Sequence, residues 1–194
     1  MSIEKYTTEA FILKEYAQDE NDLVYKVWTK DFGIIFVLAR SIRKINAKLR
    51  MNAKKNEFLN MTLVKGKDIW RLTGVEEIKE NLGTSQYFSE IKSLISETIS
   101  RFLEEKKTYK KLFEKLKFLT ICSNGLTQMD PLKLKILIYY LVLVDTGYAD
   151  AKVIGVKDII EYKNFEMKDF FTHFLLNEKE VKEHIVFVLN HSMI

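Results

Sequence analysis

Two hydrophobic periodicities divide the chain near residue 82. Residues 9–79 alternate between short segments rich in β-branched and aromatic side chains and short runs of turn residues, a pattern typical of strands. Because all but one of the connections are short, the pattern predicts a small closed barrel of five strands, similar to an OB fold. The first predicted strand opens with Phe11-Ile12-Leu13, and the others are 23–29, 33–38, 58–64 and 69–78.

From Ser85 onward the apolar residues recur with the 3.6-residue period of helices. A third helix is predicted to begin at Asp130-Pro131, since Asp caps a helix and Pro favours its first position. It is apolar nearly all round and is expected to be buried and to end at Gly147. The first two stripes are Phe88, Ile91, Leu94, Ile95, Ile99, Phe102 and Leu103, then Leu112, Phe113, Leu116 and Leu119; further helices are predicted over 167–176 and 178–190.

The fold class predicted from these patterns is α+β, with a barrel in residues 1–81 and a helical bundle in residues 82–194. The chain has 194 residues, 47% of them hydrophobic, which is enough for a packed core. One cysteine excludes an internal disulfide. The longest apolar run, Ile136–Val144, is too short to cross a bilayer, and the first residues lack a signal peptide's apolar region. We therefore expect a soluble, cytoplasmic protein.

The charge is concentrated in one segment. Between Arg40 and Arg71 there are ten Lys or Arg and two acids, which gives this segment a charge of 10 − 2 = +8. The net charge of the whole chain is only +4. Clustered cations favour binding to a polyanion, because each neutralised phosphate releases counterions. The alternative is a basic but merely solvated loop. The ten are Arg40, Arg43, Lys44, Lys48, Arg50, Lys54, Lys55, Lys65, Lys67 and Arg71.

Aromatic residues lie beside these cations. Trp70 directly precedes Arg71, while Trp28, Tyr25 and Phe36 belong to neighbouring strands. In barrels that bind single strands, exposed rings stack on bases while cations follow the backbone. The alternative for each ring is a place in the barrel core. For Trp70 both interpretations are open, and we include it among the candidate binding residues.

No pattern in the sequence indicates catalysis. The triplet Asp145-Thr146-Gly147 of aspartic proteases occurs once, at the end of a predicted helix, whereas that chemistry needs two aspartates. His184 and His191 are two helical turns apart, too far to share a metal, and phosphate-binding glycine loops and nucleophile elbows are missing. We expect neither enzymatic activity nor a metal or other cofactor.

A second lysine-rich segment contains Lys106, Lys107, Lys110, Lys111, Lys115 and Lys117, which are offset by Glu104, Glu105 and Glu114. Such a segment is typical of a solvated helix face with ion pairs along the helix. The alternative is an auxiliary surface for anions.

An ordered series of short segments resembles the RecO family of bacterial recombination mediators. The series begins before the second predicted strand, continues through the basic link and ends in the final hairpin; a later segment resembles part of that family's helical region. The matching segments are Glu20-Asn21-Asp22, Thr29 with Gly33, Arg40-Ser41-Ile42-Arg43-Lys44, Lys48-Leu49-Arg50, Leu63–Lys67, Ile69–Leu72 and Leu141–Tyr148.

The chain departs from the family pattern at three places. Ser41 stands where the family usually has glycine, and Lys55 where it usually has proline. Residues 149–170 contain no cysteine, so the four-cysteine zinc hairpin of many members is missing.

The resemblance implies a non-catalytic protein that binds single- and double-stranded DNA, anneals complementary strands and helps to load a recombinase. It also implies two partners, RecR and the acidic C-terminal tail of the single-strand-binding protein. We expect the 40–56 link and the 65–71 hairpin to form one cationic surface, with the acidic connection at Asp19, Glu20 and Asp22 away from it. Two alternatives remain: an adaptor whose basic patch binds an acidic peptide tail, and an RNA-binding OB protein.

Overall fold

A computed structural model describes residues 4–43, 53, 55–78, 86–122, 131–149 and 178–191. The predicted helix 167–176 and the cap at Asp130 lie outside these ranges, and the side chain of Phe88 is not described. The strands are β1 (Lys5–Ala17), β2 (Leu23–Thr29), β3 (Gly33–Ala39), β4 (Phe58–Lys65) and β5 (Trp70–Glu77); the helices are α1 (Gln86–Phe102), α2 (Lys110–Cys122), α3 (Pro131–Thr146) and α4 (Glu178–His191).

The five strands close into a barrel in the order β1-β2-β3-β5-β4. Neighbouring strands are antiparallel except for β3 and β5, which run parallel. The predicted α+β class, an OB-like barrel followed by helices, is confirmed. The barrel interior is filled by alternating apolar residues of all five strands, including Ala10, Ile12, Tyr25, Val27, Ile35, Val37, Leu59, Met61, Leu63, Leu72 and Val75.

One outer side of the barrel is covered by helices. Phe58, Phe11, Trp28 and Ile34 pair in succession across β4, β1, β2 and β3, and all four are buried. The ring of Phe113 on α2 lies 4.8 Å from that of Trp28 and 5.4 Å from that of Phe58. Trp28 therefore belongs to the core between barrel and helices and is not a surface platform.

Ion pairs join α2 to the barrel. Lys117 Nζ lies 2.6 Å from one carboxylate oxygen of Glu9, and Lys30 contacts the other at 3.2 Å. Lys110 Nζ lies 2.8 Å from Asp31, whose second oxygen accepts a hydrogen bond from Thr8. Lysines 110 and 117 of the 106–117 segment thus pair with acids of the barrel, which differs from the expected pairing along the helix.

The chain divides into two compact units, Met1–Ile121 and Cys122–Ile194. Since α1 and α2 belong to the first unit together with the barrel, a separate domain formed by residues 1–81 stays a prediction. In the second unit, residues 136–143 of α3 are all buried, and α3 packs against α4. The predicted end at Gly147 is confirmed: its φ is +85°, and Tyr148 N donates a hydrogen bond to Leu143 O.

None of the helices among the described residues combines the length and the apolar character needed to cross a membrane.

Candidate nucleic-acid interface

The barrel carries a second row of paired residues on its outside, which we call the open row. It consists of Tyr16, Val24, Leu38 and Arg71, which pair in succession across β1, β2, β3 and β5. Tyr16 is 44% exposed, and the side chain of Arg71 is exposed as well. Phe36, two residues before Leu38 on the same side of β3, is 38% exposed. These five residues form the open face of the barrel.

The β4–β5 hairpin brings cations to the edge of the open face. Arg71 is the β5 partner of Leu38, so its side chain emerges beside the outer surface of β3. Lys65 and Lys67 are exposed in the same hairpin. A Cβ added at Gly66 would lie 4.0 Å from Nε of Arg71, which places the guanidinium group over the turn.

Arg40 adds a fourth cation to Lys65, Lys67 and Arg71, from the end of β3. It follows the end of β3 two residues after Leu38, so its Cα lies on the order of 8 Å from that of Arg71 by strand spacing and rise. We call Arg40, Lys65, Lys67 and Arg71 the cationic rim.

The cationic rim differs from the lysines near the helices in its lack of counter-ions. Within the described ranges none of its four members forms an ion pair. On the helix-covered side, by contrast, Lys30, Lys92 and Lys117 each face a carboxylate. The rim is therefore available to an external anion.

The loop after Arg40 is anchored by the acidic β1–β2 connection. The backbone N–H of Ser41 donates to Asp22 Oδ1 at 2.7 Å, and that of Arg43 donates to Asn21 O at 3.0 Å. The expectation that this connection lies away from the basic loop is wrong for Asp22. Its carboxylate instead fixes the backbone beside Arg40, and Arg43 is exposed next to it.

Lys55 lies apart from the cationic rim. It precedes β4, whereas Lys65 ends that strand, so the length of β4, on the order of 25 Å, separates them. The expectation of one surface joining the whole link to the hairpin is thus not met at Lys55. The other predicted cations of the link lie outside the described residues: Lys44, Lys48, Arg50 and Lys54.

Trp70 closes one end of the barrel. Its ring centroid lies 4.8 Å from that of Phe32 and 5.5 Å from that of Tyr6, and the side chain is packed against the barrel core. It lies on the opposite side of β5 from Arg71, away from the open face. This packing favours the core interpretation of Trp70.

The exposed rings of the open face are Phe36 and Tyr16, which the predicted site did not include. Alternation along β3 contained the signal for Phe36, because Val37 beside it faces inward. Lys26 Nζ lies 5.8 Å from the centroid of the Phe36 ring and forms an ion pair with Glu105 at 3.1 Å. The lysine thus lies over one side of the ring, and 38% of Phe36 stays exposed.

Groups suited to metal coordination are not assembled here: in the described part of the chain no three His, Cys, Asp or Glu side chains are placed to hold an ion. The chemistry that the open face and the cationic rim offer is non-covalent, namely charge neutralisation and ring stacking.

Comparison with known proteins agrees with this geometry. Residues 1–81 match the family model described as recombination protein O N terminal. Over 164 residues the chain is 27% identical to the DNA repair protein RecO of Caldanaerobacter subterraneus subsp. tengcongensis. The alignment covers 80% of this chain and 65% of that relative, so the chain spans less than two thirds of the relative's length. Both matches, taken with the closed barrel, show that the barrel part of this chain is similar to the N-terminal region of the RecO family.

Proposed function

We propose that this protein binds DNA without catalysis and acts in DNA repair and recombination, with single-stranded DNA on the open face of its barrel. The observation that carries the proposal is the pairing of Arg71 with Leu38, which sets the cationic rim beside exposed β2–β3 surface. OB barrels bind oligonucleotides on strands 2 and 3, near the β4–β5 loop. The name of the relative, a DNA repair protein, supports the same class of function.

The proposed mechanism divides the work between charges and rings. Arg40, Lys65, Lys67 and Arg71 neutralise phosphates, and Phe36 and Tyr16 stack on bases, an interaction that tolerates any sequence. Annealing follows from the neutralisation, since two strands held on one basic surface repel each other less. Double-stranded DNA would be bound mainly through its phosphates.

The partners of this function are proposed from the family resemblance. They are RecR and the acidic C-terminal tail of the single-strand-binding protein, with recombinase loading as the outcome.

A second candidate is an adaptor that receives an acidic peptide. Val24 and Leu38, half-buried between the exposed rings and the cationic rim, favour a peptide with both acidic and apolar residues. Competition distinguishes the two candidates: a tail peptide is titrated against bound oligonucleotide. Matched RNA and DNA oligomers test the RNA-binding alternative, because the 2′-hydroxyl changes the contacts.

Salt dependence of oligonucleotide binding tests the main proposal. If about five phosphates are neutralised, log K against log salt has a slope near −3.5 for single strands. The double variant Lys67→Gln/Arg71→Gln should reduce the magnitude of this slope by about 1.4. The matched control is Lys111→Gln/Lys182→Gln, which removes two exposed lysines from α2 and α4 and should leave the slope unchanged.

Equal slopes in both variants would exclude the hairpin as the contact. The contribution of the basic link is tested separately by reversing the charges of Lys54 and Lys55. An unchanged slope after that reversal removes this part of the link from the interface.

A further inference from the structure

A cavity distant from the hairpin combines cations with hydroxyl groups. It has a volume of about 420 Å³ and lies between α1, the middle of β1 and the residues that lead into β4. Its opening faces solvent through the exposed side chains of Lys14, Lys55 and Arg101.

The walls of the cavity are fixed by backbone contacts. The regular pairing of β1 shifts between Ile12 and Lys14. At this irregularity Ile12 O accepts a hydrogen bond from Asn56 N at 2.9 Å, and Leu13 O accepts one from Ser96 Oγ at 3.1 Å. The segment before β4 and helix α1 are thus both attached to β1, so the cavity is formed before any ligand arrives.

The cavity carries an excess of positive charge. Lys14, Lys55 and Arg101 line it together with one acid, Glu97, which gives 3 − 1 = +2. Among the described residues none of the three cations forms an ion pair. Lys92, earlier on the same helix, is by contrast paired with Glu57 at 2.6 Å. The charge of the cavity is left for something else to neutralise.

Two polar atoms of the cavity residues also lack partners. Ser100 Oγ and Asn56 Oδ1 are buried, and neither has a hydrogen-bond partner in the described part of the structure. Buried polar atoms are nearly always satisfied. A Ser hydroxyl can donate to an anion, and an Asn amide turned about its last bond presents its NH₂ group instead. Both residues can therefore serve as donors to a bound group.

We infer that this cavity binds a phosphomonoester. A dianion matches the net charge of the cavity, and its tetrahedral oxygens can accept from Ser100 on one wall and from Lys14 and Lys55 on the other. The volume lies at the lower end of the range for small-molecule sites, more than an isolated ion needs. The group is either the terminal phosphate of a DNA strand, which rests on the proposed function, or part of a free phosphorylated small molecule.

The test compares single-stranded oligonucleotides of one sequence that end in a 5′-phosphate or a 5′-hydroxyl, with a nucleoside 5′-monophosphate as the free ligand. A strand-end site predicts about tenfold tighter binding of the phosphorylated oligonucleotide. This preference should disappear in Lys55→Gln/Arg101→Gln and persist in Lys111→Gln/Lys182→Gln. Glu97→Gln, which removes the acid of the cavity, should increase it.

A second outcome is that the free nucleotide binds, that this binding is lost in Lys55→Gln/Arg101→Gln, and that the two oligonucleotides bind equally well. This outcome assigns the site to a small phosphorylated molecule. Equal affinity for the two oligonucleotides and no binding of the free nucleotide would overturn the inference. A 5′-phosphate preference that survives in Lys55→Gln/Arg101→Gln would overturn it as well. The proposed function fails by a different result, an unchanged salt slope for the 5′-hydroxyl oligonucleotide in Lys67→Gln/Arg71→Gln.

Discussion

Gly33 shows how closely the backbone segments of the first unit approach each other. Its φ is +69°, and a Cβ built on it would lie 2.4 Å from the carbonyl oxygen of Lys107. The approach arises because the α1–α2 connection joins the edge of β3, where Lys106 N donates to Ile34 O at 3.2 Å. Only glycine satisfies both the left-handed backbone and the contact.

Gly33→Ala should therefore destabilise the protein by about 3 kcal/mol, because the left-handed backbone and a contact with rigid backbone both oppose the new methyl group. Urea unfolding measures the change. Gly147→Ala is the control: it also has positive φ but nothing within 4 Å of the added Cβ, so about 1 kcal/mol is expected. Equal losses in the two variants would show that the contact at Gly33 contributes nothing.

Ser41 illustrates a departure from the family pattern that the structure explains. Its φ is +53°, within the left-handed region that glycine adopts most easily. The loop thus keeps the conformation suited to the usual glycine, and the bond from Ser41 N to Asp22 Oδ1 stabilises it.

Glu9 makes the stability of the first unit depend on pH. Burial raises the pKa of its carboxyl group, but hydrogen bonds from Lys117 and Lys30 outweigh burial and leave the pKa below its ordinary value of 4.5. Because the pKa of Glu9 is lowered in the folded state, its contribution to stability is fully present at pH values above its unfolded-state pKa. The contribution is lost as the pH falls through its folded-state pKa.

The thermal midpoint of the native protein should accordingly fall as the pH is lowered from about 5 to 3. Glu9→Gln, which cannot titrate, should have a lower midpoint at pH 7 and a smaller decrease over the same interval. A decrease of the same size in both proteins would contradict the role given to Glu9. Scanning calorimetry at several pH values supplies the measurement.

At the scale of elements, α2 is attached to the barrel by both rings and charges. Phe113 packs on Trp28 and Phe58, and Lys117 and Lys110 bind Glu9 and Asp31. Lys117 is largely buried in this contact, with 11% of its side chain exposed. Its ammonium group has left water for this contact, so replacing Lys117 removes one of the two lysines that neutralise Glu9 and loses a largely buried charge-assisted hydrogen bond.

Lys117→Gln should thus cost about 2 kcal/mol of unfolding free energy. Lys111→Gln on the same helix changes an exposed residue that has no ion pair among the described residues, and it should remain within about 0.5 kcal/mol of the native protein. Guanidinium unfolding of the two variants gives the comparison. A small effect at Lys117 would mean that ring packing alone holds α2.

Much of the element structure could be predicted from the sequence, because strand alternation and helical stripes are local patterns. Ile91, Ile95 and Ile99 are buried along α1 as the stripe predicts. Alternation puts Trp28 on the opposite face of β2 from Tyr25 and Val27, but what covers that face could not be predicted, because it is the docking of α2, a segment distant in sequence, that buries it. Lys117 was missed for the same reason: its partner Glu9 is 108 positions away in sequence.

At the scale of the whole first unit, the two rows of residues on the outside of the barrel differ in solvent exposure. The row from Phe58 to Ile34 is buried by the helices, while Tyr16 and Phe36 on the open face stay exposed. Net charge and segment charge indicated a polyanion partner, but they could not show which cations converge. Arg40 and Arg71 meet because β3 and β5 run parallel, and Lys55 does not join them because β4 leads away.

Charge and stacking should be separable on the open face. Phe36→Ala should weaken binding of single-stranded DNA by about 1–2 kcal/mol through the loss of stacking, without changing the salt slope, because no phosphate contact is removed. Phe118→Ala, which removes an exposed ring from α2, is the control and should leave affinity unchanged. If Phe36→Ala changes the salt slope but leaves the affinity for single-stranded DNA at one salt concentration unchanged, Phe36 lies outside the stacking surface. Fluorescence anisotropy at several salt concentrations measures both quantities.

The pairing of β4 and β5 contains one irregularity with a large consequence. Thr62 pairs with Gly74 and Leu63 with Leu72, so Thr73 is an extra residue in β5. It allows Leu72 and Val75, an odd number of positions apart, to point into the same interior. If β5 paired regularly through Thr73, without the bulge, its two halves would disagree in parity, and keeping Val75 inside would turn the side chain of Arg71 inward and that of Trp70 outward. The bulge at Thr73, which need touch no ligand, therefore determines that Arg71 faces outward and Trp70 inward.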